Sequence, residues 1–316
     1  MVKEQELQEH LTWLRSRQNG IGGSDASAIL GFNKWMSPFE LYVEKTKTIT
    51  MDDVLASQDN EAIHWGNVLE DIVAEEFSRR TGKKVRRRNQ TFRHAEYPFM
   101  HANIDRDVVG ERALLECKTT NAFNSDAWEG DLIPPAYMCQ IQHYMAVLDY
   151  DKAYIAVLIG GQKFVWKEVE RDEEFIELMI AAEKDFWENH VLAGTPPEID
   201  GSTSASELLK EMYPEDNGER IMLPSDEAEM LIEAIESIKS EVKEKQKLQK
   251  EYENKLKLLI GEAEYGVTPK YEVRHQTITS NRFDRAALKK AHPEIEKKFQ
   301  KESTYRRLNI KKIEED

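Results

Sequence analysis

The chain has 316 residues and contains no apolar run of about eighteen residues, so it offers no membrane span. Its first residues, MVKEQELQEHLTWL, are charged and amphipathic and lack the apolar core of a signal peptide, which makes the cytoplasm the expected compartment. Only two cysteines are present, Cys117 and Cys139, and neither belongs to a CxxC pair. Structural zinc is therefore not expected, and an iron–sulfur cluster held by four cysteines is excluded by count. A disulfide would be unusual in a reducing compartment. No internal repeat is visible.

A basic excess is also missing. Lys and Arg total 44 against 59 Asp and Glu, for a net charge of −15. Read globally, that opposes nonspecific binding to nucleic acid, but such binding is set by local patches. From Ser78 to Ala95 the chain carries Arg79, Arg80, Lys83, Lys84, Arg86, Arg87, Arg88 and Arg93 with no Asp or Glu. A second basic stretch runs from Lys270 to Lys312, while acid is concentrated in 168–188 and 207–237. Either run also fits a solvated face. An acidic metal site lowers net charge without preventing DNA binding, because the metal reverses the local sign.

Helical spacing of Leu7, Leu11 and Leu14 predicts a helix over 3–18, ended by Asn19-Gly20. Ser24 reads as the N-cap of a short helix through Leu30, and Ser37-Pro38 as a second helix start. A helix is expected from Glu61 to Thr81, stopped by Gly82. The period then changes: Lys84–Phe92, Met100–Val109 and Arg112–Thr120 read as strands. Pro134-Pro135 opens a helix, Ala153–Ile159 and Lys163–Val169 form a hairpin about Gly160-Gly161, and Asp172–Leu192 is helical. Residues 1–193 thus form one α/β domain with a sheet of about five strands flanked by helices. Residues 194–221, rich in Pro, Ser, Gly and acid, read as a linker. The rest, 222–316, reads as a long helix followed by a small α+β module with strands near 264–279, a helix from Asp284 to Ala291 and a strand near Tyr305–Ile310. A helix over 224–262 would be roughly 60 Å long. Leu231, Ile235, Ile238, Val242, Tyr252, Leu256 and Leu259 lie on a heptad seam in it, interrupted by Lys245 and Gln249. Packing on its own domain and pairing with another molecule both fit that pattern.

The residues that can carry chemistry begin with Asp105 and Glu116-Cys117-Lys118. Strand side chains alternate faces, so Glu116 and Lys118 share one and Cys117 takes the other. If 100–109 and 112–120 are adjacent strands, Asp105 lies beside Glu116. Two hard oxygen ligands then suit Mg²⁺, with the Cys117 backbone carbonyl as a candidate third and water or phosphate completing the shell. Lys118 beside a metal could have a lowered pKa, orient or deprotonate a water, or neutralise phosphate charge. A Glu-x-Lys spacing alone is common on solvent-facing strands. The apolar Ala113-Leu114-Leu115 before it, and the flanking segments, raise its significance. Glu70, mid-helix in HWGNVLED, could bind metal directly or through water. Gln140, early in the helix after Pro135, could position water or phosphate. Arg17 and Ser24, around a glycine turn at a helix start, could hold a phosphate. Each also fits an ordinary surface or capping role when taken alone.

In order and spacing these residues match a family. Trp13, Arg17 and Ser24, then Trp65-Gly66 and Glu70, then Asp105, Glu116-x-Lys118, and Gln140-x-Gln142 resemble the lambda exonuclease branch of the PD-(D/E)XK nucleases, and more closely the YqaJ-type phage recombination nucleases. The C-terminal FDRAALKKAHPEI and YRRLNIKK resemble the extension of YqaJ-type members. The resemblance implies a restriction-endonuclease-like core with a mixed central sheet. It implies Asp105, Glu116 and the Cys117 carbonyl as ligands of Mg²⁺ or Mn²⁺, Lys118 serving the nucleophilic water, Glu70 and Gln140 supporting water, metal or phosphate, and Arg17 and Ser24 holding a 5′-phosphate. The implied activity is 5′→3′ digestion of one strand at linear double-stranded DNA ends. That leaves a 3′ overhang for a single-strand annealing protein, in a host cytoplasm and from a phage or prophage gene. Homo-oligomers, including trimeric rings, occur in the family.

Two departures stand out. Ala102-Asn103-Ile104 precedes Asp105 in place of the family's Pro, which leaves the ligand itself intact. The C-terminal extension is absent from lambda exonuclease, so the seam at 231–259 could supply a different oligomer contact or a docking surface. Two alternatives remain at this point: an endonuclease of the same fold, nicking or structure-selective, and a non-catalytic DNA-binding recombination scaffold. The three residues Asp105, Glu116 and Lys118 weigh against the scaffold, and an end-phosphate pocket favours the exonuclease.

Overall fold

The computed structural model describes residues 2–58, 60–299 and 304–312. They divide into two compact units, Met1–Met212 and Tyr213–Asp316. In the first, α1 (Val2–Arg17) leads to β1 (Ile21–Gly22), α2 (Gly23–Ile29), α3 (Pro38–Thr46), α4 (Met51–Gln58) and α5 (Glu61–Thr81). Then come β2 (Val85–Arg86), β3 (Phe92–Arg93), β4 (Met100–Ala102), β5 (Arg106–Val108) and β6 (Ala113–Thr120). A 3-10 turn (Ala122–Trp128), α6 (Pro135–Leu148), β7 (Lys152–Ile159), β8 (Lys163–Glu170), α7 (Glu173–Asp185) and α8 (Thr203–Met212) complete it. The helix boundaries follow local chemistry. Ser37 Oγ accepts from Glu40 N at 3.1 Å with Pro38 in the first turn, and Gly82, at φ 74°, ends α5 in a left-handed conformation that costs a glycine little.

The main sheet has the order β2-β5-β6-β7-β8, all antiparallel except the β6–β7 pair. That parallel pair needs a crossover, and α6 supplies it. The helix packs on one face of the sheet, where Leu114, Ile155 and Val157 meet Ile141 and Met145. On the other face Ala113, Leu115, Cys117, Tyr154 and Ala156 meet Val73, Ala74 and Phe77 of α5. Each fully buried Val, Leu, Ile, Phe or Met side chain among them stabilises the fold by roughly 1.5–3 kcal/mol. A small second sheet, β1-β4-β3, lies beside it. This is the mixed sheet flanked by helices expected from the resemblance.

Three expectations need correction. Residues 84–92 and 100–109 do not form continuous strands: β2 and β5 join the main sheet, while β3 and β4 join the small one. The chain leaves its ladder at 103–105 between the two sheets, and that break frees the Asp105 carboxylate to turn toward β6. Ser24 does not cap α2. The helix starts two residues earlier with Gly22 as its cap, and the Asp25 carboxylate accepts from Gly22 N at 2.9 Å. Finally, no strand forms at Tyr305–Ile310.

Part of the stretch read as a linker is helical: α8 lies within it, with Ser204 and Ala205 buried. In the second unit, α9 (Ser225–Ile260) is followed by the antiparallel pair β9 (Tyr265–Val267) and β10 (Glu272–Arg274), then α10 (Arg285–Ala291) and α11 (Pro293–Lys298). Ile260 packs on Gly266, where a Cβ would lie 3.1 Å from its side chain. The end of the 222–316 range falls outside the described residues.

Candidate active site

The site is built where β5 begins beside β6. The last ladder pair is Arg106 with Leu115, so Asp105 falls opposite Glu116. Beyond that end, Cys117 N donates to Asp105 Oδ2 at 2.7 Å, a side chain replacing the missing strand. In an extended strand the N–H and C=O of one residue point to the same edge. The Cys117 carbonyl therefore also faces Asp105, on an edge where, among the described residues, the β5–β6 ladder has already ended. Its thiol lies in the core against α5, and burial pushes it well above the usual thiol range.

Glu116 is buried. Its Oε1 accepts from Lys118 Nζ at 2.7 Å and from Gln140 Nε2 at 2.8 Å, while its Oε2 is buried with no partner. Gln140 Nε2 also donates to the Tyr144 hydroxyl at 3.0 Å. Burial, and then the charge of Glu116, push the Asp105 carboxyl up to about 8. Burial alone would lower Lys118; the charges of Glu116 and Asp105 outweigh it and raise the group above the ordinary lysine range. Facing the Glu116 and Asp105 carboxyls and lying over the Tyr137 ring, Lys118 is an ammonium and acts as a donor. A lowered value of the kind expected beside a metal would need a cation between the acids.

Asp105, Glu116, Lys118 and Gln140 thus come together. Glu70 sits around the edge of the sheet on the α5 side, where its Oε1 takes Arg87 at 2.8 Å and also Arg106. Arg106 is buried, and it also reaches Asp71. Glu70 is held by two guanidinium groups, so direct ligation would require it to let go of them. An open cleft lined by Trp13, Glu70, Arg87, Arg88, Asn103 and Asp105 runs past this edge. The basic run is largely matched within the fold: Arg79 and Arg80 pair with Glu76, Lys83 with Glu111, and Arg86 and Arg88 with Asp107.

Arg17 Nη2 donates to Ser24 Oγ at 3.3 Å and lies 3.5 Å from Asp25 Oδ1, with its guanidinium over the Trp13 ring. Sequence reasoning missed Asp25 and Lys45. Lys45 Nζ bonds Asp25 Oδ2 at 2.6 Å and the Arg17 carbonyl at 3.0 Å. Burial would raise the Asp25 carboxyl; Lys45 and Arg17 outweigh it and hold it below the usual range. The two half-sites are mechanically joined. Gly23 packs so closely on α6 that a Cβ there would lie 2.5 Å from the Tyr144 ring and 3.0 Å from Gln140 Cγ. Tyr144 and Arg106 were also missed. Gly23 in the glycine turn is where the chain admits Tyr144, and no local pattern marks Arg106.

The donors suit a hard divalent cation. Two carboxylates are held together at a buried strand end, one with an orphaned oxygen, and a free carbonyl faces them. Among the described residues no group of three or more His, Cys, Asp and Glu side chains is placed to hold a metal, so the protein's share is two carboxylates and that carbonyl. Such a shell is ordinary for Mg²⁺, which keeps several waters and takes phosphate oxygens.

Residues 12–151 match the model of the YqaJ-like viral recombinase domain. The chain is 47% identical over 304 residues to the protein YqaJ of Bacillus subtilis (strain 168), covering 95% of this chain and 94% of that one. It belongs to the YqaJ family. Among solved structures, the alkaline exonuclease LHK-Exo from Laribacter hongkongensis is similar at a TM-score of 0.45 and 16% identity, over 64% of this chain and 97% of that one. Its complex with dAMP gives 0.48 and 19%, over 64% and 96%.

Proposed function

We propose that this chain is a divalent-metal-dependent deoxyribonuclease that starts at 5′-phosphorylated ends of linear duplex DNA. It removes one strand in the 5′→3′ direction and leaves a 3′ overhang for a single-strand annealing partner in phage-type recombination. The observation that carries this reading is the Asp105–Glu116 pair at the open end of β5, with Glu116 Oε2 unpartnered and Lys118 and Gln140 fixed on Oε1. Mg²⁺ or Mn²⁺ bound there would supply Lewis acidity toward the scissile phosphate. Lys118 donates to the attacking water and to the phosphate oxygens. Gln140, braced by Tyr144, keeps Glu116 from swinging away. Arg17 and Ser24 hold the terminal phosphate, and Asp25 with Lys45 positions Arg17. The viral recombinase description of the matching family model is in keeping with this role.

The test compares linear 5′-phosphorylated duplex with covalently closed circular duplex of the same sequence in Mg²⁺. Nucleotide release from the linear form and an intact circle are expected. Cutting of the circle at a similar rate would replace the exonuclease by an endonuclease of the same fold.

A further inference from the structure

The seam of α9 lies exposed in its unit: Ile238 and Tyr252 are each 60% exposed and Leu259 84%. No residue of this helix is buried. An apolar stripe of that length needs a partner, and the sequence along it specifies which. Seam positions alternate by four and three residues from Leu231 to Leu259, with polar breaks at Lys245 and Gln249. In an antiparallel pair of identical helices, each first-type seam residue faces a second-type seam residue of the other copy. One register sets Ile235 against Leu259, Ile238 against Leu256, and Val242 against Tyr252 of the second copy. In that same register Lys245 meets Gln249, so the two breaks face each other and every apolar seam residue from Ile235 to Leu259 meets another.

The charges flanking the seam agree with this register independently. It brings Lys239 beside Glu253 and Glu241 beside Lys255 of the second copy, each twice by symmetry. More broadly, the first turns carry Asp226, Glu227, Glu229, Glu233 and Glu236 without a base, and the later half is rich in lysine. Antiparallel packing therefore sets acid against base. Sliding by one heptad would put Gln249 on Ile238 and Lys245 on Val242. Parallel pairing would stack Lys245 on Lys245 and form none of these ion pairs. At present Lys239 reaches Glu236 at 2.8 Å and Lys255 reaches Glu251 at 2.5 Å along the same helix. Exposed pairs of that kind contribute little, so re-aiming them costs little.

We infer that α9 is the self-association surface of this protein, pairing two copies as an antiparallel coiled coil about a two-fold axis near Lys247. This rests on the second unit alone and is independent of the nuclease reading. The test uses the full chain with cysteines added at the seam; Cys117 and Cys139 are buried and do not compete. Val242→Cys and Tyr252→Cys proteins, mixed and oxidised, are expected to give a disulfide-linked dimer, and each alone should give little. Self-linking of Tyr252→Cys alone in preference to the mixture would overturn the antiparallel register, and a wild-type chain that sediments as a monomer at micromolar concentration would overturn the pairing itself. Lys239→Glu with Lys255→Glu is expected to weaken the dimer by about tenfold, from four small ion-pair losses. Adding Glu241→Lys and Glu253→Lys should restore it, and failure to restore it contradicts the register.

Discussion

Replacing Lys118 by alanine is expected to slow nucleotide release from linear duplex DNA by roughly 10²–10³-fold or more, the loss seen when one preorganised donor to a developing negative charge is removed. Affinity for the same DNA should change little, because a single partly buried ammonium is a minor part of a surface that meets many phosphates. Among the described residues the variant also removes the one cation bonded to buried Glu116, whose Oε1 then keeps Gln140 alone. Stranding a buried charge can cost several kcal/mol of stability, so thermal unfolding belongs in the same experiment. Lys118→Gln keeps a donor near Glu116 without the charge and separates the two effects. A folded Lys118→Ala or Lys118→Gln protein with normal turnover would sink the assigned role.

The second large effect is expected at Arg17. Arg17→Ala should bring the rate ratio between 5′-phosphorylated and 5′-hydroxyl duplex down toward one. A hydrogen bond to a charged group is worth about 1.5–3 kcal/mol, which is roughly 10- to 100-fold in discrimination. Turnover after the first nucleotides should change less than initiation. Arg17→Lys should restore only part of the preference, since an ammonium lacks the guanidinium fork that faces Ser24 and Asp25. An unchanged ratio in Arg17→Ala would mean that the phosphate end is held elsewhere.

How much of this could be read from the sequence depended on distance along the chain. The Glu116-x-Lys118 face, the helix starts at Ser37 and Pro135, the stop at Gly82 and the β7–β8 hairpin are set by neighbours within one turn or one strand, and each is where the residues place it. The juxtaposition of Asp105 with Glu116 followed from assuming that two segments pair, and the geometry reaches it by a different route. The strand breaks off at 103–105, and the carboxylate, rather than the backbone, meets Cys117. Lys45 with Asp25 and Arg106 with Glu70 escaped notice because each joins residues 20 or more apart in sequence on elements whose packing no local pattern encodes. The strand expected near Tyr305–Ile310 does not form: a strand needs a partner, and these residues pair with neither β9 nor β10.

The account's central claim is that Asp105 and Glu116 hold a divalent cation. Calorimetric titration of Mn²⁺ into chelator-treated protein tests it without relying on cleavage. The account predicts one saturable site in the wild type, lost in Asp105→Asn and in Glu116→Gln while both variants remain folded. Undiminished Mn²⁺ binding by the two folded variants would contradict it.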